Sequence, residues 1–333
     1  PEERISTIDF HLDVWETNLG YRPSGFFCFM PDTYTVNYLY SLNISFMQGY
    51  CFDQYVVDYM TERGGWPAPY YSHPFHVLMP NNLHQKGVVI FPHNTLDWVS
   101  AFTDSCQYGA HPLAVMGRFN NEEEQKNYFL NLILETERRL QPFGYVSVQF
   151  EWNWCFQHNT TDTIKDWIKT LLSYSEINFW TYKTTAEWFK NNYEYTPSYY
   201  IEFCSPYNGK IIEWYYCLDF RVARIDNKVV SYIDYTEQQN DKYLTTYTQL
   251  DFSEPASTSN CMDNSLSFEI DALGGGICTH PITTNSYSYI GNLQDFPLYY
   301  DVKHNLLEKQ LPFILLTLGI ISALGYTILK KVS

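Results

Sequence analysis

The chain has 333 residues, which is long enough for two domains of ordinary size and for a substantial hydrophobic core. Its formal net charge is -16 at pH 7, and because binding to phosphates needs a basic surface, this charge argues against a nucleic-acid partner. Aromatic residues are abundant, with 30 Tyr, 22 Phe and 9 Trp. Tyr and Trp combine apolar area with a polar tip, which suits sugar-like ligands as well as a protein core.

Residues 1–195 predict an alternation of helices and strands. The first element is a helix over 6–19, with Ser6 as its cap and Gly20 as its stop. The later helices are expected at 32–42, 120–140, 161–174 and 186–193. The strands are expected in "GFFCFMP", "ISFMQGYC", "GVVIFP", "GYVSVQFEWNW" and "INFWTYKT". This order predicts an α/β domain, with a barrel favoured over an open sheet.

Residues 196–298 have a different character. Runs such as "YIEFC" and "IIEWYYCLDFRVARI" are separated by turn signals and show almost no helical pattern, and "RIDNKVV" predicts a hairpin. We expect an all-β module of the sandwich type here. Residues 299–310 then form a linker.

The stretch 311–329 carries no charge over 19 residues, about the length that crosses a ~30 Å hydrocarbon core. It predicts one transmembrane helix, the alternative being a buried core helix. Lys330 and Lys331 follow it, so the tail 330–333 is expected in the cytoplasm and the body of the protein outside the cell. Small residues at 319 and 323 would allow a partner helix to approach closely.

An external location favours disulfides, since the eight cysteines are even in number and form no CxxC pair. Two pairs are close in the sequence and are candidate disulfides: Cys204 with Cys217, and Cys261 with Cys278. Asn43 and Asn159 each begin an N-x-S/T sequence and are candidate glycan acceptors.

Ligands of α/β barrels bind at the carboxyl ends of the strands, so the residues that follow each predicted strand are the site candidates. These are His93, Asp97, Trp98, Glu151, Trp152 and Trp154, together with Asp53 and with Arg22 before the first strand. Imidazole and carboxylates could exchange protons or bind a divalent cation, while indole faces stack on sugar rings. The alternative for His93 and Asp97 is a loop stabilised by side-chain hydrogen bonds.

His73 and His76 are three residues apart and could share a metal. They lie in a loop rich in Gly and Pro, "RGGWPAPYYSHPF", which has no helix to orient them. The same residues are therefore also consistent with ordinary loop positions.

Three segments resemble the second half of the seven-stranded barrel of the polysaccharide deacetylase family: "GYRPSGFFCFMP", "HNTLDW" and "WTYKTTAEWF". The resemblance covers 1–195 and implies metal-dependent hydrolysis of N-acetyl groups, with a divalent ion such as zinc. It implies that Arg22 lies near the catalytic acid and that Asp97 and Trp98 form the Asp-Trp element. The family's Asp pair and His-x-x-x-His set precede the RP element, and residues 1–21 do not contain them.

The expected fold is therefore a partial (β/α) barrel lacking about two βα units, then the β-sandwich module and the membrane helix. The expected function is a membrane-anchored, external, deacetylase-like hydrolase of glycans. Asp97, Arg22 and Glu151 are its candidate catalytic residues, and Trp98, Trp152, Trp154 and His93 its candidate substrate-binding residues. Two alternatives stay open: a non-catalytic glycan-binding or surface-layer protein, and an accessory subunit of a membrane complex.

Overall fold

A computed structural model describes residues 2–27, 33–51, 66–74, 77, 79–83, 85–94, 98, 115–116, 119–148, 152–206, 209–225, 228–235 and 268–269. Apart from 228–229, these residues belong to one compact unit. Within these ranges, no helix has the length and apolar character needed to cross a membrane. The predicted span at 311–329 lies outside them.

The first half of the chain builds a mixed sheet flanked by helices. Its elements in chain order are α1 (Glu2–Leu19), β1 (Gly25–Phe27), α2 (Thr33–Ser41), β2 (Phe46–Cys51), β3 (Tyr70–Tyr71) and β4 (Val89–His93). The strand order is β1-β2-β4-β3, with β1, β2 and β4 parallel and β3 antiparallel at the edge. The predicted α/β class is confirmed, while the seven-stranded barrel stays a prediction.

Helix α1 begins at Glu2, so the prediction that Ser6 caps it is wrong. Two acidic residues in the first turn, Glu2 and Glu3, favour the earlier start because they complement the helix dipole. The predicted stop is confirmed: Gly20 adopts a φ of 76°, and its N–H donates to the carbonyl of Glu16 at 2.8 Å. This left-handed conformation is one that glycine adopts without steric cost.

Four helices follow: α3 (Glu122–Arg139), α4 (Trp152–Gln157), α5 (Thr161–Leu171) and α6 (Tyr182–Asn192). Helix α3 confirms the helix expected at 120–140, and it carries three glutamates in its first turn and two arginines in its last. The side chain of Asn121 accepts a hydrogen bond from the N–H of Glu124 at 2.8 Å and so caps this helix.

Two predicted strands are wrong. The run "GYVSVQFEWNW" gives an irregular segment at 144–148 and then helix α4, and "INFWTYKT" gives an irregular segment at 177–181 and then helix α6. In the second case Thr181 is the N-cap, and its hydroxyl accepts from the N–H of Thr184 at 3.2 Å. Aromatic residues favour strands only where cross-strand neighbours exist, and here a helix cap decides the outcome.

The second half forms an antiparallel sheet in the order β5 (Tyr199–Cys204), β6 (Ile211–Tyr216), β7 (Phe220–Ile225), β8 (Lys228–Asp234) and β9 (Phe268–Glu269). This confirms the predicted β-rich character. A facing second sheet, as a sandwich requires, is not found among the described residues.

Residues on both sides of position 195 share one hydrophobic core. The ring of Trp66 packs edge-to-face on Tyr199 at 5.7 Å, and the hydroxyl of Tyr199 donates to the carbonyl of Pro69 at 2.5 Å. The backbone N–H of Tyr71 donates to the hydroxyl of Thr196 at 2.9 Å. The antiparallel sheet and the mixed sheet are therefore tied together by burial and by hydrogen bonds.

The predicted disulfide between Cys204 and Cys217 is wrong. Both thiols are free. In the register of β5 with β6, Cys204 lies opposite Ile211 and Tyr199 lies opposite Tyr216, so the two cysteines are at opposite ends of the strand pair. That separation is roughly 17 Å, whereas a disulfide needs about 4.4–6.8 Å between Cα atoms. Cys261 and Cys278 lie outside the described residues.

Candidate functional site

The carboxyl ends of β2 and β4 meet at His93, which lies opposite Cys51 in the parallel register. A register shift between Gln48 and Cys51 bends β2 at this point. The amide nitrogen of Gln48 lies 3.1 Å from Nδ1 of His93 and also contacts Nε2. Both side chains are buried, with 8% and 6% of their surface exposed. The parallel pairing of β2 and β4 has thus brought the polar side chains of Gln48 and His93 together near the carboxyl ends of these strands.

Aromatic rings lie beside this pair on the same face. The ring of Phe91 contacts Phe46 edge-to-face at 6.1 Å and Tyr182 at 5.2 Å. Side chains alternate along a strand, so Phe91 and His93 point to the same side of the sheet. Phe46 and Tyr182 are only partly buried and form the outer part of this aromatic wall.

Asn94, directly after β4, holds three segments together. Its Nδ2 donates to the carbonyls of Pro67 at 2.9 Å and Tyr145 at 2.6 Å, and its Oδ1 accepts from the N–H of Ser147 at 2.8 Å. The residue is fully buried. These bonds place the segment 144–148 beside the end of β4, and this brings Ser147 near the site.

Ser147 connects the site to helix α6. Its hydroxyl and that of Tyr182 are 2.7 Å apart and share a hydrogen bond. Tyr145, on the same segment, donates its hydroxyl to the carbonyl of Pro92 at 2.9 Å. The site therefore consists of Gln48, His93, Ser147 and Tyr182 against Phe46 and Phe91, and Asn94 and Tyr145 hold its frame.

Burial sets the protonation of these groups. It lowers the pKa of His93 from 6.5 to about 4, so the imidazole is neutral at pH 7. Burial likewise raises the pKa of Tyr182, and that of Tyr145 still more, so both phenols stay protonated. The four polar groups of the site are uncharged at neutral pH.

Arg22 does not reach this site. It precedes β1, at the amino end of the parallel sheet, whereas His93 lies at the carboxyl end. Its guanidinium is exposed and pairs with Glu16 at 2.6 Å and Asp13 at 3.5 Å on α1. The hydrogen bond to Glu16 raises the pKa of Arg22. The expected association of Arg22 with the site residues is not seen.

Trp98 is a core residue. It is fully buried, its Nε1 donates to the hydroxyl of Thr136 on α3 at 3.2 Å, and its ring lies 6.4 Å from that of Phe203 on β5. An indole with no exposed face cannot stack on a sugar. The predicted substrate-binding role of Trp98 is therefore contradicted.

The remaining candidates have different positions. Asp97, Glu151, Asp53 and His76 lie outside the described residues. Trp152 and Trp154 are in helix α4 rather than at the end of a strand. Burial lowers the pKa of His73 to about 4, and its backbone N–H donates to the carbonyl of Met79 at 3.0 Å, so this histidine belongs to the packed loop.

A zinc site of the deacetylase type does not fit the described residues. They contain no group of three His, Cys, Asp or Glu side chains that could hold a metal. The described partner of His93 is an amide, which is a poor zinc ligand. We therefore assign no metal-dependent step to the site.

The two candidate glycan acceptors lie in turns. Asn43 has a φ of 64° and Asn159 a φ of 53°, and both are exposed. Asparagine is among the residues that tolerate this left-handed conformation. Their exposure is compatible with the predicted glycosylation, which stays a prediction.

Of the site and its frame, only His93 was among the sequence candidates; the polar residues that were missed are Gln48, Asn94, Ser147 and Tyr182. Asn94 follows an uninterrupted apolar strand and could have been found by the rule that identified His93. Gln48 lies inside a strand. Ser147 and Tyr182 lie in two different segments that were each predicted as strands, so no local pattern marked any of the three as a site residue.

A family model described as a domain of unknown function with a solved structure, DUF3863, matches residues 12–204, more than half of the chain. The fold is similar to a 1.44 Å crystal structure of a protein from Parabacteroides distasonis described as a candidate glycoside hydrolase/deacetylase, with a TM-score of 0.58 and 15% identity. The match covers 71% of this chain and 62% of the other, so this chain spans less than two thirds of that protein. At this identity the likeness concerns the fold alone. No curated protein matches the chain. From the match over residues 12–204, the chain belongs to the DUF3863 family.

Proposed function

We propose that this protein is carbohydrate-active and binds a neutral glycan at the carboxyl ends of β2 and β4. The observation that carries the proposal is the position of uncharged hydrogen-bonding groups, Gln48 and His93, near the partly exposed rings of Phe46 and Tyr182. A sugar presents hydroxyl groups around an apolar ring face, and this site offers partners for both.

Two further observations support a neutral glycan. The similar fold occurs in a protein described as a candidate glycoside hydrolase/deacetylase. The chain carries a net charge of -16, which repels anionic ligands. Neither the site nor the overall charge favours an acidic polysaccharide.

Hydrolysis of an N-acetyl group is the second candidate function, because the imidazole of His93 lies at the carboxyl ends of β2 and β4, where the glycan is proposed to bind. A neutral imidazole can accept a proton from an attacking water molecule. The water oxygen would bond to the acetyl carbon, the C–N bond would break, and the leaving amine would take up a proton. The products are acetate and a free amino sugar.

The test of glycan binding is calorimetric titration of the full chain with chitohexaose, a neutral oligomer that carries N-acetyl groups. We expect Gln48→Ala to weaken binding by about tenfold, the loss of one good hydrogen bond. Gln157→Ala, at an exposed position on α4, is the matched control and should bind as the unmodified chain does. Equal affinity in both variants would contradict the placement of the site.

Hydrolysis is tested separately by measuring acetate release from the same oligomer. We expect release by the unmodified chain and loss of release in His93→Gln at saturating oligomer. If no acetate appears while the oligomer binds, the protein is a glycan-binding member of the family and the hydrolytic candidate is wrong.

A further inference from the structure

An exposed aromatic surface lies on the irregular segment before α6, which leads directly to Tyr182 of the proposed site. Phe179 and Trp180 are adjacent in sequence and expose 54% and 48% of their surface. Consecutive large aromatic side chains in water are unusual, because each keeps apolar area exposed. We call Phe179, Trp180 and Trp188 the Trp180 platform.

Trp180 packs on one end of a series of aromatic rings. Its ring packs against Trp188 at 5.9 Å with an interplanar angle of 63°, and Trp188 in turn packs edge-to-face on Phe143 at 4.9 Å and on Tyr193 at 5.8 Å. Phe143 reaches the core through Tyr199 at 5.6 Å. The indole of Trp180 is thus connected to the core through the rings of Trp188, Phe143 and Tyr199, while about half of its surface is exposed to solvent.

A rigid, half-exposed indole is the arrangement that stacks on a sugar ring at a small cost in conformational entropy. Polar groups lie next to it: the hydroxyls of Thr181 and Thr184 are exposed and 3.0 Å apart at the start of α6. They could exchange their mutual hydrogen bond for bonds to sugar hydroxyls.

The platform is close to the proposed site along the chain: Trp180 lies two residues before Tyr182, whose hydroxyl bonds to Ser147. Two residues span at most about 7 Å of extended chain. We propose that the Trp180 platform is an additional subsite for the same neutral glycan, occupied by sugar units beyond those that fill the site. This inference rests on the proposed function.

The test compares a long and a short oligomer, chitohexaose and chitobiose, by calorimetric titration of the full chain. In Trp180→Ala we expect the affinity for the hexamer to fall about three- to tenfold, the worth of one aromatic contact, with the affinity for the dimer unchanged. Trp180→Phe should recover part of the loss. Phe156→Ala removes another exposed aromatic side chain, on α4, and should change neither affinity.

A direct readout is the 19F NMR spectrum of the chain labelled with 5-fluorotryptophan. The resonance of Trp180 is identified by its absence in Trp180→Phe, and we expect it to shift with the hexamer but not with the dimer.

The outcomes separate the two proposals. If the unmodified chain binds the hexamer and Trp180→Ala leaves both affinities unchanged, the platform is wrong and the proposed function stands. If neither oligomer binds the unmodified chain, both are wrong.

Discussion

Asn94 links the segments that surround the site, because its side chain forms hydrogen bonds to each of them. Its side-chain amide joins the loop at Pro67, the segment at Tyr145 and Ser147, and the end of β4. Each of these backbone groups is buried, and a buried polar group without a hydrogen bond is costly. One side chain thus replaces the strand pairing that is absent at 144–148.

We expect Asn94→Ala to lower the free energy of unfolding by about 2–4 kcal/mol, because it removes three hydrogen bonds to buried backbone groups. Chemical denaturation followed by circular dichroism measures the change. Asn192→Ala is the matched control: its Nδ2 donates to the carbonyl of Trp188 on an exposed surface, and its loss should cost less than about 0.5 kcal/mol. Equal effects would show that Asn94 does not organise the site.

The buried imidazole of His93 makes stability depend on pH. The folded protein takes up this proton only below about pH 4, whereas the unfolded chain takes it up below about pH 6.5. Between these values the unfolded state binds more protons, so stability falls as the pH is lowered from 6.5 towards 4. The contribution of this residue is at most about 3 kcal/mol.

Denaturation midpoints at pH 7 and pH 4.5 test this expectation. His93→Gln should lose less stability between these pH values than the unmodified chain does. His11→Gln, at an exposed position on α1, should lose as much as the unmodified chain. An identical pH dependence in all three proteins would mean that His93 is not buried as a neutral group.

At the scale of the elements, a close approach to backbone involves Gly144, where the chain passes the end of α3. A Cβ atom at this position would lie 2.3 Å from the backbone carbonyl oxygen of Glu137. Backbone cannot move aside as a flexible side chain can, so α3 and the segment 144–148 are in contact at this point only because the residue has no side chain.

We expect Gly144→Ala to destabilise the fold by about 2 kcal/mol or more, since either the helix or the segment must shift. Thermal unfolding measures it. The control is Gly20→Asn: Gly20 has a positive φ, which asparagine tolerates, and nothing lies within 4 Å of its added Cβ. A Gly144→Ala protein as stable as the control would rule out this close contact.

For the whole molecule, the shared core predicts that the first 195 residues do not fold alone. Trp66 packs on Tyr199 and Tyr216, and its Nε1 donates to the hydroxyl of Tyr235 at 3.0 Å, so residues beyond 195 complete its surroundings. A fragment of residues 1–195 should unfold without a cooperative transition in calorimetry, whereas the full chain should show one. A cooperative fragment would instead support a domain boundary at 195.

The uncharged stretch 311–329 leads to a separate proposal, based on sequence alone, that this protein is anchored in a membrane with its body outside the cell. A chain that ends at 305 should partition into the aqueous phase of a detergent phase separation, whereas the full chain should enter the detergent phase. If both partition alike, 311–329 does not anchor the protein.

Local sequence patterns were sufficient to predict those helices and strands whose formation depends mainly on their own residues. The charge gradient of α3, the glycine that ends α1 and the apolar run of β4 were all visible in the sequence, and each corresponds to an observed element. Position at the end of an apolar run was also enough to place His93 at the carboxyl end of the sheet, where it is the last residue of β4 rather than part of the following loop. Such features act over a few residues, so a single stretch of chain contains the whole cause.

Long-range contacts decided the remainder. Trp98 and His93 are close in sequence, but packing placed one between α3 and β5 and the other beside Gln48. The aromatic run before α6 was predicted as a strand. Its structure is determined instead by a helix cap at Thr181 and by the rings around Trp188. Composition, charge and periodicity thus determined the α/β class and most elements. Which polar groups meet was decided by tertiary structure, because the hydrogen-bond partners in the site and its frame lie 27 to 53 positions apart along the chain.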